Sequence, residues 1–248
     1  TNSNPTNNFD GNENIVIRDI LFDGDGLNDN TINLEGLTDV KIEKIKIINN
    51  TDNYGIYCFR LSNLTIQNNS MNNNYAGCYL ETSKELSINE NYFISNQNGA
   101  ILYGDYGSIN KVSGNVFSNN FNGAKIQGGD ISIIGNSFER NGNDGLQITS
   151  TLKGHIVFEN YFKNNSYEND NSASHILIYG ISAEATESNN NIIQNNKFNN
   201  ESGENGARYC VEITNPDNEN NVIKYNYFKN GYKTSDVLDN GTNTIIKE

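Results

Sequence analysis

Glu81, Tyr103 and Lys125 stand 22 residues apart, and Asp105 follows Tyr103 by two. Regular spacing brings side chains from separate segments onto one surface, and these four types can move protons together. Two carboxyls flank the bond in glycoside hydrolysis, about 5 Å apart when configuration is retained and up to about 9.5 Å when it is inverted. Glu81 and Asp105 are the acid pair at suitable spacing. A tyrosine or lysine can instead take the proton α to a carboxylate while a cation neutralises that carboxylate, so Tyr103 with Lys125 answers to β-elimination. Both reactions stay open. Around these four come Tyr57, Phe59, Tyr79, Gln127, Gln147, His175, Tyr179 and Arg208. Flat rings stack on the apolar faces of pyranoses while amides hydrogen-bond their hydroxyls, so the set reads as a surface for a polysaccharide.

The spacing comes from an internal repeat: a short apolar strand, Asn-x-Phe, a polar turn, then Gly and a second apolar strand. It runs through Asn91-Tyr92-Phe93, Asn115-Val116-Phe117, Asn136-Ser137-Phe138, Asn160-Tyr161-Phe162, Asn196-Lys197-Phe198 and Asn226-Tyr227-Phe228, with Asn69-Ser70-Met71 ahead of them. Insertions interrupt it at Tyr167 to Ser174 and Asn199 to Gly206. Such units are too short for helical repeats of about 34 residues, and their strands alternate with period two. Parallel β coils meet both conditions, stacking like residues in ladders about 4.8 Å apart. The Asn column would lie inside a turn, each amide bonding the next, and the Phe column would form a core spine. Ile20 with Phe22 and Ile45 with Ile47 extend the two columns. The expectation is an all-β chain, a single parallel solenoid of about nine coils over residues 15–248 after an irregular segment 1–14.

Counting from the Gly before the second strand, the first and third residues should face inward, and they are apolar throughout: Ile56 and Cys58, Cys78 and Leu80, Ala100 and Leu102, Ala124 and Ile126, Leu146 and Ile148. The second, fourth and sixth should face outward. This places Tyr57, Tyr79, Lys125, Gln147, His175 and Arg208 in one outer column, Phe59, Glu81, Tyr103, Gln127 and Cys210 in the next, and Asp105, Tyr179 and Glu212 beyond.

With these ladders the chain resembles the right-handed parallel β-helices of the pectate lyase-like superfamily. The resemblance spans nearly the whole chain and implies the fold, whereas function within that group ranges over lyases, hydrolases, epimerases, phage tailspikes and adhesins. It implies a carbohydrate-active protein, extracellular or on a virion surface. The alternative is a non-catalytic adhesin or structural rod, with the aromatic face packed against two sister chains in a homotrimer.

Composition narrows the partners. Asn fills 51 of 248 positions, a fifth of the chain, and the formal net charge is −13. A nucleic acid or an anionic membrane would be repelled over most of such a surface. The run Asp23-Gly24-Asp25-Gly26-Leu27-Asn28-Asp29 alternates oxygen donors as calcium loops do, yet it lacks a twelfth-position Glu, and turn chemistry also accounts for it. His155 and His175 have no Cys or acid at ligand spacing, so no metal site is expected. Cys58 and Cys78 fall two residues out of step on adjacent coils, too far apart to bridge, and read as buried thiols.

Overall fold

The computed structural model describes the chain apart from residues 1–12, 26, 105–109, 129, 150–153, 169–172, 180–188, 202–205, 231–233 and 248. Most of the expected irregular N-terminal segment, and Asp105, thus lie outside the described residues. Among these residues there is strand but no helix.

The chain winds as a parallel β-helix with three sheets. Nine short strands, from Leu21–Asp23 to Tyr227–Lys229, stack in the second sheet and make eight full turns from first to last, against the nine coils expected. Every strand pairing is parallel, so each coil is hydrogen-bonded to the coils before and after it. The Asn of each Asn-x-Phe unit lies at a corner, as expected, and the residues after it form a three-residue strand of this sheet, Tyr92–Ile94, Val116–Ser118 and Ser137–Glu139 among them.

Each corner turns on one residue in the left-handed region followed by a buried Asn. At the first corner, Asn68, Glu90, Gly114, Gly135, Glu159 and Asn195 hold φ between 55° and 63° or close to it at 54°. The Asn that follows each one faces inward. The amide of Asn91 donates to Ile66 O at 2.8 Å and to Asn115 Oδ1 at 3.0 Å, and the backbone N–H of Asn91 reaches that same Oδ1 at 2.9 Å. The pattern repeats through Asn136, Asn160 and Asn196. A second ladder, unforeseen from the sequence, runs through Asn50, Asn74, Asn96, Asn120, Asn141 and Asn165 at the second corner. Corner backbone groups face a dry interior, and these amides are what saturate them.

Between the two ladders lies the spine. Phe93, Phe117, Phe138 and Phe162 stack with centroids 4.8 Å apart and planes within 6°, continuing to Phe198 and Phe228. Ile47 and Met71 extend it towards the N-terminus. On the third sheet the expected inward residues, from Ile56 and Cys58 to Leu146 and Ile148, are all buried. The three cysteines are buried thiols.

The Gly ahead of each third-sheet strand has a steric cause. A Cβ on Gly77, Gly99 or Gly123 would lie 2.6, 2.2 or 2.1 Å from the carbonyl oxygen of the equivalent Gly one coil on. Gly123→Ala should therefore cost about 1–3 kcal/mol. Phe138→Ala, which opens a hole in the ring stack, should cost about 3–5 kcal/mol. Urea unfolding followed by tyrosine fluorescence checks both, and an unchanged midpoint in Gly123→Ala would refute the close approach.

Candidate functional site

The outward face of the third sheet carries the expected aromatic set. Tyr57 and Tyr79 oppose each other on adjacent coils, with ring centroids 5.5 Å apart and planes at 14°. Tyr103 follows on the next coil, 5.4 Å from Tyr79. Two further tyrosines that the column count passes over complete a terrace: Tyr54 stacks 4.6 Å from Tyr79, and Tyr75 lies 5.8 Å from Tyr54. Tyr54 precedes the Gly that marks the register, and so falls outside columns counted from that Gly. All five are half-buried. Burial, and after it neighbouring charges that include Glu81, pushes the phenols of Tyr54, Tyr79 and Tyr103 up; Tyr57 shifts the same way. These groups keep their protons at neutral pH, which suits them to donate to an oxygen and not to act as bases.

Glu81 stands between Phe59 and Tyr103 in its column, and its charge is among the causes, after burial, that push the Tyr79 phenol up. Just past it the pairing slips by one residue, Gly104 opposing Ser83, a bulge of the kind that re-aims side chains. Lys125 lies between Ile101 and Gln147 in the other column, two coils beyond Tyr79, and Gln127 pairs with Tyr103 and Thr149. Phe59 is covered by the Arg60 guanidinium, 4.4 Å from its ring centroid.

Further along the same face is a second cluster. Asp144, 3% exposed, accepts the Ser174 N–H at 2.7 Å and the Gln147 amide at 2.8 Å. The Ser174 hydroxyl donates in turn to Glu212 at 2.5 Å. One serine thus joins two carboxyls from different coils. Burial pushes the Asp144 carboxyl up to about 6; the Ser174 N–H and the Gln147 amide oppose the shift, and the Glu212 charge adds to it. Tyr179, raised by burial, senses both Asp144 and Tyr103, so the two clusters share one electrostatic surface. An acid directly before a register Gly is the only sequence sign of Asp144, and Ser174 lies at the end of an insertion.

The structure corrects the placement of three residues. His175 is not on the outer face: it is fully buried, with its Nδ1 2.9 Å from the Asn165 amide and its ring against Phe162 and Phe198. Arg208 is exposed but precedes its strand, its guanidinium over Tyr209. Cys210 faces inward. The cause is shared: past the insertions the marker Gly is gone, and by register His175 and then Cys210 fill its column. Tyr179 consequently pairs with Thr149, and Glu212 with Leu177 in the column that begins with Tyr57.

The three stacked parallel sheets and the buried ladders define a parallel β-helix with an open outer face. Residues 6–185 match the family described as periplasmic copper-binding protein (NosD), and the chain belongs to that family. None of the curated proteins matches the chain significantly. Among solved structures, the mannuronan C-5 epimerase AlgE4 A-module of Azotobacter vinelandii is similar with a TM-score of 0.58 and 16% identity, over 85% of this chain and 64% of that one. The DFA-IIIase of Arthrobacter chlorophenolicus A6 without its lid gives 0.54 and 15%, over 86% and 56%. The chain thus spans less than two thirds of these proteins, and the likeness is one of fold.

Two buried groups set a pH signature. Asp144, raised from 3.8 to about 6, contributes stability that is present below pH 3.8 and lost as pH rises through 6. His155, lowered by burial from 6.5 to about 4, contributes stability that is present above pH 6.5 and lost as pH falls through 4. Each amounts to about 3 kcal/mol, so across pH 4 to 6 they offset one another. Relative to the parent chain, Asp144→Asn should lose about 3 kcal/mol more on acidification from pH 7 to 4, and His155→Asn about 3 kcal/mol less. Denaturant titrations at several pH values measure the differences; parallel pH curves for all three proteins would contradict the assignment.

Proposed function

We propose that this chain is a carbohydrate-active β-helix that binds a polysaccharide along the tyrosine terrace and acts on it by glycoside hydrolysis or β-elimination. The carrying observation is the terrace itself: five packed phenols on the outer face of a rigid sheet, with Glu81 among them. Stacked rings one coil apart match successive sugars, and phenols that hold their protons supply donors to hydroxyl and glycosidic oxygens. Glu81, with Tyr103 on the next coil, Lys125 on the coil after that and Asp105 following Tyr103 in sequence, is proposed to carry the proton chemistry. Gln127, Gln147 and Tyr179 extend the binding surface. The fold neighbours, a mannuronan epimerase and a DFA-IIIase by title, support a carbohydrate as the partner. The family's description supports a location outside the cytoplasm.

Copper, named in that description, is not carried over. The donors copper prefers are thiolate, thioether and imidazole. Here Cys58, Cys78, Cys210, Met71, His155 and His175 are all sealed in the core. Burial pushes the thiols up, away from the thiolate form a metal would bind. Among the described residues no three His, Cys, Asp or Glu side chains gather as a metal site. At the Asp23 turn the carboxylate accepts Asp25 N and the Asn49 amide, which is turn chemistry.

Incubation with uronates, teichoic acids and capsular glycans, followed by reducing-end and unsaturated-product assays, tests the reading. Tyr79→Ala should weaken binding, whereas Glu81→Gln and Asp105→Asn should lower turnover by about 10²- to 10⁴-fold with binding nearly intact. Carboxylate chemistry should also survive EDTA; loss of turnover on chelation would point to a metal, first at the Asp23 to Asp29 loop. Binding without products assigns the chain to a non-catalytic adhesin. Full turnover in both acid variants moves the chemistry away from Glu81.

A further inference from the structure

We propose that this face selects neutral polysaccharides over polyuronates, and that Asp144 and Glu212, joined through Ser174, are its specificity-determining pair. The inference rests on the carbohydrate reading above, takes its hydrolytic arm, since β-elimination needs a uronate carboxylate, and names the substrate class.

The two outward columns can be read strand by strand from the register. One runs Asn33, Tyr57, Tyr79, Ile101, Lys125, Gln147, Leu177, Glu212. The other runs Glu35, Phe59, Glu81, Tyr103, Gln127, Thr149, Tyr179. Among the described residues, these columns hold three carboxylates, Glu35, Glu81 and Glu212, and one cation, Lys125. Asp144 adds a fourth acid in the wall beside Gln147. A polyuronate laid along the axis would bring about one carboxylate per coil against this row, inside a chain of net charge −13. Neutral sugars meet the same row with hydroxyl donors, which bond carboxylates more strongly than they bond neutral acceptors.

The far end of the row is built to hold its charge in place. Glu212 is half-buried and pinned by the Ser174 hydroxyl, and the Ser174 N–H is spent on Asp144. Among the described residues neither acid stands in an ion pair with a cation, and the titratable groups that sense the Asp144 charge or act on it are Glu212 and Tyr179 from later coils. Since Asp144 titrates near 6, the wall sheds one negative charge on mild acidification, and discrimination against uronates should relax with it.

Matched polymers isolate the effect: pectate, polymannuronate and hyaluronate, each beside its carboxyl-reduced neutral form, titrated calorimetrically at pH 7.5 and pH 5. At pH 7.5 the neutral member of a bound pair should bind about tenfold tighter, and at pH 5 the gap should fall to about threefold or less. Glu212→Gln and Asp144→Asn should narrow the gap at pH 7.5 by improving uronate binding, with circular dichroism confirming that both variants fold. A second readout needs no polymer: in a carboxyl ¹³C NMR titration, Glu212→Gln should lower the midpoint of Asp144. Equal or tighter uronate binding at pH 7.5 overturns this inference and leaves the carbohydrate reading standing. An Asp144 midpoint in the ordinary carboxylate range, unmoved by Glu212→Gln, overturns the pair whichever polymer binds. Binding of no member of any pair removes the carbohydrate reading, and the inference falls with it.

Discussion

A buried corner in a solenoid can be satisfied only by the corner one coil away. Each turn of this chain presents inward-facing N–H and C=O groups that water cannot reach, and an unmet group there would cost on the order of 1–3 kcal/mol. Asn answers the need, since its amide carries both a donor and an acceptor at fixed separation. At both corners the Oδ1 of one Asn takes the backbone N–H and the amide of the preceding one, as in Asn69 to Asn91 and Asn74 to Asn96. The chain's high Asn content follows from running two such ladders, with further Asn, such as Asn68, Asn73 and Asn119, tolerating the left-handed conformation just before them.

The ladders hold coil spacing constant, and everything else inherits it. Phe rings can stack nearly parallel because every coil advances by the same step. The Gly carbonyls can approach one another closely because no side chain has to fit between them. On the outside, the same step turns a tyrosine in each of three successive coils into a terrace. A catalytic or binding surface of this kind is rigid before any ligand arrives, so little ordering cost falls on binding.

Where the step is broken, the chain does something different. The insertions of the later coils abolish the marker Gly, and in its column His175 caps the second Asn ladder from inside, its Nδ1 meeting Asn165. The strand that carries His175 also brings Ser174 to the wall, where it reaches Asp144 on the coil before and Glu212 on the coil after. Irregularity in a regular array is thus what gathers a buried acid, a serine and a second acid at one point, while the regular coils supply the aromatic surface beside them.

The sequence by itself determined the repeat, the first Asn column, the Phe spine and the inward set from Ile56 to Ile148, because each of these recurs at a period that is visible without coordinates. It also determined that Tyr57, Tyr79, Tyr103 and Glu81 share one face, since period two within a strand and a near-constant period between coils suffice to place them. Only the tertiary structure decided that the residues after each ladder Asn form a strand of their own between two corners, because a three-residue strand has too few residues to show an alternation. Only it brought in Tyr54 and Tyr75, which reach the terrace by the direction of their rings and not by their place in a column. It alone also moved His175, Arg208 and Cys210 out of the outer columns and joined Asp144 to Glu212 through Ser174: after an insertion, register depends on which backbone groups find partners across the coils, and no local spacing carries that information.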